Sequence, residues 1–163
     1  PGQKPVSRQS NLIVESKKML ADDALRRMLM EECKKQNKPF GLLFTEIAGG
    51  STVTARSSAN VFNVNPLAVY KVYADGRPDE AVRGVTLIGT PLIAFGKILA
   101  TGSKMEIFNG MCGAESGSVP VAAVSPSILI SEIEVQKRAK SPDRLPILPA
   151  PPNKSGNPDG GRK

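Results

Sequence analysis

The sequence predicts an α+β fold: a β-rich domain, either barrel-like or a mixed antiparallel sheet, with one main helix over about 22–37, a short helix over about 91–100 and a disordered Pro-rich C-terminal tail. Three observations predict it. Runs rich in β-branched residues recur between turn signals. A single run places apolar residues at helical spacing, with acids before it and lysines after it. Six prolines fall in the last 26 residues, where the chain is too polar to offset its ordering entropy by burial. The 163 residues are enough for one domain with its own core. Aromatics are only 4% and Trp is absent, so that core must rest on Val, Ile, Leu and Met.

Each element has its own reason. Asn11-Leu12-Ile13-Val14 is a short β-branched run and reads as a strand. In 22–37, Asp22 and Asp23 suit a helix N-terminus, Lys34, Lys35 and Lys38 suit its C-terminus, and Leu25, Met28, Leu29 and Cys33 form one stripe. Pro39 stops it. Phe40 to Ile47 reads as a buried strand. The Ser-, Thr- and Asn-rich stretch that follows, to residue 65, is an irregular loop or a β-ribbon with a polar face. Leu67–Tyr73 is a strand, Ala74-Asp75-Gly76 a turn, and 81–89 the returning strand of a hairpin. Pro91 suits the first turn of a short helix. Residues 109–118 read as a glycine-rich loop. Val119–Val124 and Ile128–Val135 read as two strands separated by Ser125-Pro126. The domain is expected to end at residue 137, with 138–163 as the tail and Leu145–Pro149 as a segment able to clip onto the domain in extended form.

The net charge of +7 is unevenly placed: +3 in residues 1–20, −1 in 21–136 and +5 in 137–163. A nucleic-acid-binding domain concentrates basic charge on a structured face and adds stacking aromatics. Neither is seen, so nucleic acid is not expected as a partner. No apolar run approaches the ~20 residues that span a membrane. The start is polar and lacks Met, so the chain reads as a fragment of a longer protein.

The chain has no histidine, which excludes a self-sufficient enzyme of the Cys–His kind. Cys33 lies on the apolar helix stripe and reads as a small core hydrophobe. Cys112, between Gly110 and Gly113, is the one candidate reactive residue. A thiolate on such a segment suits a metal ligand or a nucleophile. A nucleophile would need a nearby histidine, and a zinc ligand would need about two or three further donors. The residues alone therefore leave Cys112 open between these roles and that of an incidental loop cysteine. Asp75, Asp79, Glu80, Glu106 and Glu115 are scattered and suit turn and surface roles. Neither Gly49-Gly50 nor the 110–117 segment ends in the Gly-Lys-Ser/Thr of a phosphate loop.

A wider order is visible. Arg8-x-x-Asn11-Leu-Ile-Val leads into an Asp-led helix. Then come Tyr70-Lys-Val-Tyr73-x-Asp-Gly76, Val82-Arg-Gly-Val-Thr-Leu-Ile-Gly89, Cys112-Gly113, Val119-Pro-Val121 and Ser125-Pro-Ser-Ile-Leu-Ile130. In this the sequence resembles the C-terminal domain of the TldD/PmbA family, whose members also carry the label modulator of DNA gyrase. It departs from the family after Cys112-Gly113, where Ala114–Ser118 replaces a basic residue and a Gly-Gln pair.

The resemblance implies a zinc metallopeptidase that processes peptides. It implies an N-terminal domain, outside this chain, whose helix bears His-Glu-x-x-x-His, and it makes Cys112 the third zinc ligand. Zinc is then expected in the full-length parent and not in this fragment alone, and no catalytic residue is expected within the chain. The implied partners are the parent's N-terminal domain, a peptide substrate and a second subunit, in a homo- or hetero-dimer. The implied compartment is cytoplasmic, although any export signal would lie upstream of Pro1. The competing reading is a non-catalytic partner subunit or peptide- or protein-interaction domain of the same family.

Overall fold

A computed structural model describes residues 8–53, 57–114 and 116–138. In chain order the elements are β1 (Leu12–Ile13), β2 (Met19–Leu20), α1 (Asp22–Lys35), β3 (Phe40–Thr52), β4 (Phe62–Tyr73), β5 (Glu80–Val82), β6 (Val85–Gly89), α2 (Pro91–Gly96), β7 (Ile98–Ala114), β8 (Gly117–Ile130) and β9 (Glu134–Lys137). The fold is α+β. Of the two expected arrangements the mixed sheet is found: among the described residues the strands form two open sheets and no closed barrel.

Helix α1 stops where the backbone can be satisfied. Asn37 takes a left-handed conformation, φ 55°. Lys38 N–H then donates to the Cys33 carbonyl at 2.8 Å, and Asn37 N–H to that of Lys34 at 3.0 Å. This is a Schellman closure with Asn in the place glycine usually takes, and it ends the helix two residues before the expected 37. The apolar face of α1 lies across both sheets. A Cβ added to Gly41 in β3 would fall 2.5 Å from Leu29 Cδ1 and 3.0 Å from Cys33 Sγ, and one added to Gly102 in β7 would fall 3.5 Å from Leu25 Cδ2. The two glycines thus let one helix seat closely on two sheets.

The first sheet has the order β3-β4-β6-β9, with β5 also paired to β4. The described part of the polar stretch proves to be a ribbon: β3 and β4 stay paired from Gly49↔Asn65 out to Thr52↔Phe62. Register shifts between Phe44 and Gly49 bend it, and Gly49, at φ 146°, supplies a backbone that other residues avoid. The expected return strand at 81–89 is broken in two at Arg83-Gly84, where Gly84 has φ 72°. Both pieces hold β4, at Val69↔Val82 and Val64↔Leu87. Pro66 falls in the gap, where β4 has no N–H to give. The buried core is small and most of it lies on this sheet, with Val72 at 1% exposure and Val69, Tyr73 and Leu87 also buried.

The second sheet has the order β1-β8-β7-β2. Its body is the antiparallel β7–β8 hairpin, and β1 and β2 add in parallel at its two sides. Four expectations are corrected here. The helix opened by Pro91 ends at Gly96, and residues 98–100 begin β7. Residues 109–118 are not a loop: Asn109–Ala114 and Gly117-Ser118 are paired strands, and Gly110 and Gly113 lie in the ladder without left-handed φ. Ser125-Pro126 does not separate two strands. β8 runs through it, and Pro126 sits opposite Met105 beside a register shift, where a missing N–H costs little. The second strand expected there ends at Ile130, and Glu134–Lys137 is a separate strand. No helix of the described residues is long and apolar enough to cross a membrane. The Leu145–Pro149 segment and the tail from residue 139 lie outside the described residues.

The close seat of α1 on β3 gives a stability test. Gly41→Ala should destabilise the domain by about 1–3 kcal/mol through overpacking against Leu29 and Cys33. Gly96→Ala, with no atom within 4 Å of the added methyl, should be neutral or stabilising by up to ~1 kcal/mol. Urea unfolding of both variants checks the pair.

Candidate metal-ligand site at the tip of the long hairpin

Cys112 lies on β7 opposite Val119, near the tip where Ala114 pairs with Gly117. No register shift interrupts the ladder between Met105 and Ala114. Strand alternation therefore puts Cys112 on one face with Phe108, Gly110, Val119 and Val121. A Cβ on Gly110 would stand 2.8 Å from Phe108 Cε1. Gly110 is thus needed for room: it lets the Phe108 ring lie along the face toward Cys112, rather than allowing the backbone to bend.

Arg8 crosses the tip. Its guanidinium donates to the Gly117 carbonyl at 2.8 Å, to Ser116 Oγ at 2.6 Å and to the Cys112 carbonyl. Arg8 is joined to the sheet through β1, where Leu12 pairs with Ala123 and Ile13 with Val124, and Val14 N–H donates to the Val124 carbonyl at 2.8 Å. The guanidinium of Arg8, with the backbone N–H of Gln9, favours the thiolate of Cys112 and holds the thiol below the ordinary range. Half-buried, free and shifted toward thiolate, Cys112 has the properties of a soft metal ligand.

The other candidates are placed elsewhere. Cys33 is buried under α1 against Gly41, and burial, with Glu32 nearby, pushes its thiol up. Glu80 accepts from Tyr73 and from Lys71, Asp79 pairs with Arg26, Asp75 lies 3.7 Å from Arg77, and Glu106 lies 2.7 Å from Lys104. These carboxylates have turn and surface roles, as expected. Glu115 lies outside the described residues. Among the described residues no group of three or more His, Cys, Asp or Glu side chains could hold a metal. Sequence reasoning gave Arg8 no role. Its bonds are to backbone 104 to 109 residues away, and no local pattern carries that information.

A family model described as the PmbA/TldA metallopeptidase C-terminal domain matches residues 1–137. The chain belongs to this family. A 34% identity over 89 residues links it to the Metalloprotease TldD homolog of Haemophilus influenzae, over 53% of this chain and 18% of that protein. The chain thus spans less than a fifth of that relative's length. A metallopeptidase family implies a metal in the full-length protein. Cys112 fits as one soft corner of a four-coordinate site, and among the described residues no cluster of three or more ligands completes it.

The thiol environment gives a pH test. In metal-free protein, Cys112 should alkylate with a midpoint below that of an unperturbed thiol, while Cys33 should react last and only at higher pH. Arg8→Ala should move the Cys112 midpoint upward and leave that of Cys33 in place. Rate–pH profiles read by mass spectrometry of the two peptides check both.

Proposed function

We propose that this domain supplies one thiolate, Cys112, to a zinc centre of a metallopeptidase, and that a His-Glu-x-x-x-His helix on a separate N-terminal domain supplies the imidazoles and the general base. The observation that carries the reading is the isolated, thiolate-favoured Cys112 on a braced hairpin tip in a chain of this family. Zinc bound there supplies Lewis acidity toward a peptide carbonyl and toward water. This chain's own contribution is positional. The Cys112 face, with Phe108, Val119 and Val121, forms an apolar wall that excludes water beside the metal. An extended peptide adds as a strand along the outer half of the long hairpin, beyond its pairing with β1 and β2.

One observation favours a second reading, a non-catalytic partner subunit or interaction domain. The opposite face of the same hairpin is also apolar and open, with Ile107 67% and Met111 64% exposed. The sequence upstream of Pro1 separates the two: an intact His-Glu-x-x-x-His there defeats the partner-subunit reading.

Cys112→Ala in the full-length protein should lower zinc affinity at least ~100-fold, since even outer-shell changes cost 10–100-fold, and peptide cleavage should fall with it. Zinc counting by atomic absorption and a peptide-cleavage assay check this. Unchanged zinc with unchanged cleavage contradicts the proposal.

A further inference from the structure

We propose that Arg8 is the positioning residue for the metal thiolate, fixing where Cys112 Sγ is presented by clamping both strands of the hairpin tip. This rests on the reading of Cys112 as a ligand. The last strand pairing that steadies the hairpin from outside is β1, at Ala123 and Val124. Ala123, the pairing nearer the tip, sits opposite Phe108, so Cys112 lies four residues further out, about 14 Å at ~3.4 Å per residue. A two-stranded ribbon of that length is marginal by itself and free to twist. A metal ligand tolerates little such motion, since first-shell geometry must hold to within about 0.5 Å.

Arg8 answers the need from the near side. Residues 8–11 lead from β1 back along β8 without joining its ladder. The guanidinium then bridges Cys112 O on β7, Gly117 O on β8 and Ser116 Oγ between them. Two terminal nitrogens share these three bonds in one plane, which a single ammonium at the same distance cannot reproduce. One of the three acceptors is the carbonyl of Cys112 itself, so the clamp acts on the residue that carries the sulfur.

The test is a cobalt titration of the metal-free full-length protein, read by the near-ultraviolet thiolate-to-cobalt band and by thermal unfolding. Arg8→Ala should weaken cobalt binding about 10- to 100-fold, yet reach the same band per bound cobalt at saturation, because the sulfur is still present. Arg8→Lys should recover less than half of the logarithmic loss. Arg26→Ala, which breaks an ion pair between α1 and Asp79 just before β5, controls for general loss of stability and should leave cobalt affinity within about twofold. Parent-like affinity in Arg8→Ala overturns the proposal, as does an equal loss in Arg26→Ala. Absence of the band in the unaltered protein overturns the ligand reading of Cys112 itself and is distinguishable from both.

Discussion

The unbroken pairing of β7 with β8 between Met105 and Ala114 decides which way Cys112 points. A slip of one residue in a ladder turns every side chain to the other face. Here such a slip would exchange the Phe108–Cys112–Val119–Val121 face for that of Ile107, Met111 and Val124. Apolar side chains on both faces do not specify the register well by themselves. The constraints come from the ends: the register shift between Thr101 and Met105 at the base, the Ala114↔Gly117 closure at the tip, and β1 against Ala123 and Val124.

The rest of the domain is arranged so that this hairpin has a fixed base. Helix α1 seats on β3 at Gly41 and approaches β7 at Gly102, so one rigid element ties the two sheets together. The first sheet holds most of the buried core and closes its turn at Asp75-Gly76 with a cluster of side chains. Arg77 lies 3.5 Å over the Tyr73 ring, and Tyr73 and Lys71 both donate to Glu80. The hairpin's outer half lies beyond that core and is apolar on both faces, so the long hairpin is stable by attachment rather than by its own burial. The same geometry makes it suited to pack against another domain.

The sequence made much of this legible, and the parts it hid share a cause. The Asp22-Asp23 start and the lysine-rich end of α1 are local signals, and the helix formed within two residues of its expected end. The ribbon in the polar stretch could not be told from a loop, because alternation is confined to the short Phe62-Asn63-Val64-Asn65 run while the facing Gly49-Gly50-Ser51-Thr52 carries none; only its partner strand decides. The glycines around Cys112 were misread for the same reason. Gly110 is dictated by the Phe108 ring two residues away on the same face, and a glycine present for space looks in sequence like a glycine present for bending. Ser125-Pro126 looked like a break because a proline removes a donor, and the register shift that absorbs it is visible only in the pairing. Cys112 was found by its residue type and its family context, whereas Arg8 stood in the family order without a role, because its work is done on distant backbone.

The central claim is that Cys112 sulfur binds the metal while nitrogen ligands come from another domain. X-ray absorption at the zinc edge of the full-length protein tests this most directly. One sulfur at ~2.3 Å is expected together with nitrogen or oxygen neighbours at ~2.0–2.1 Å, with the sulfur shell lost in Cys112→Ala. A first shell of nitrogen and oxygen only, the same in both proteins, would contradict it.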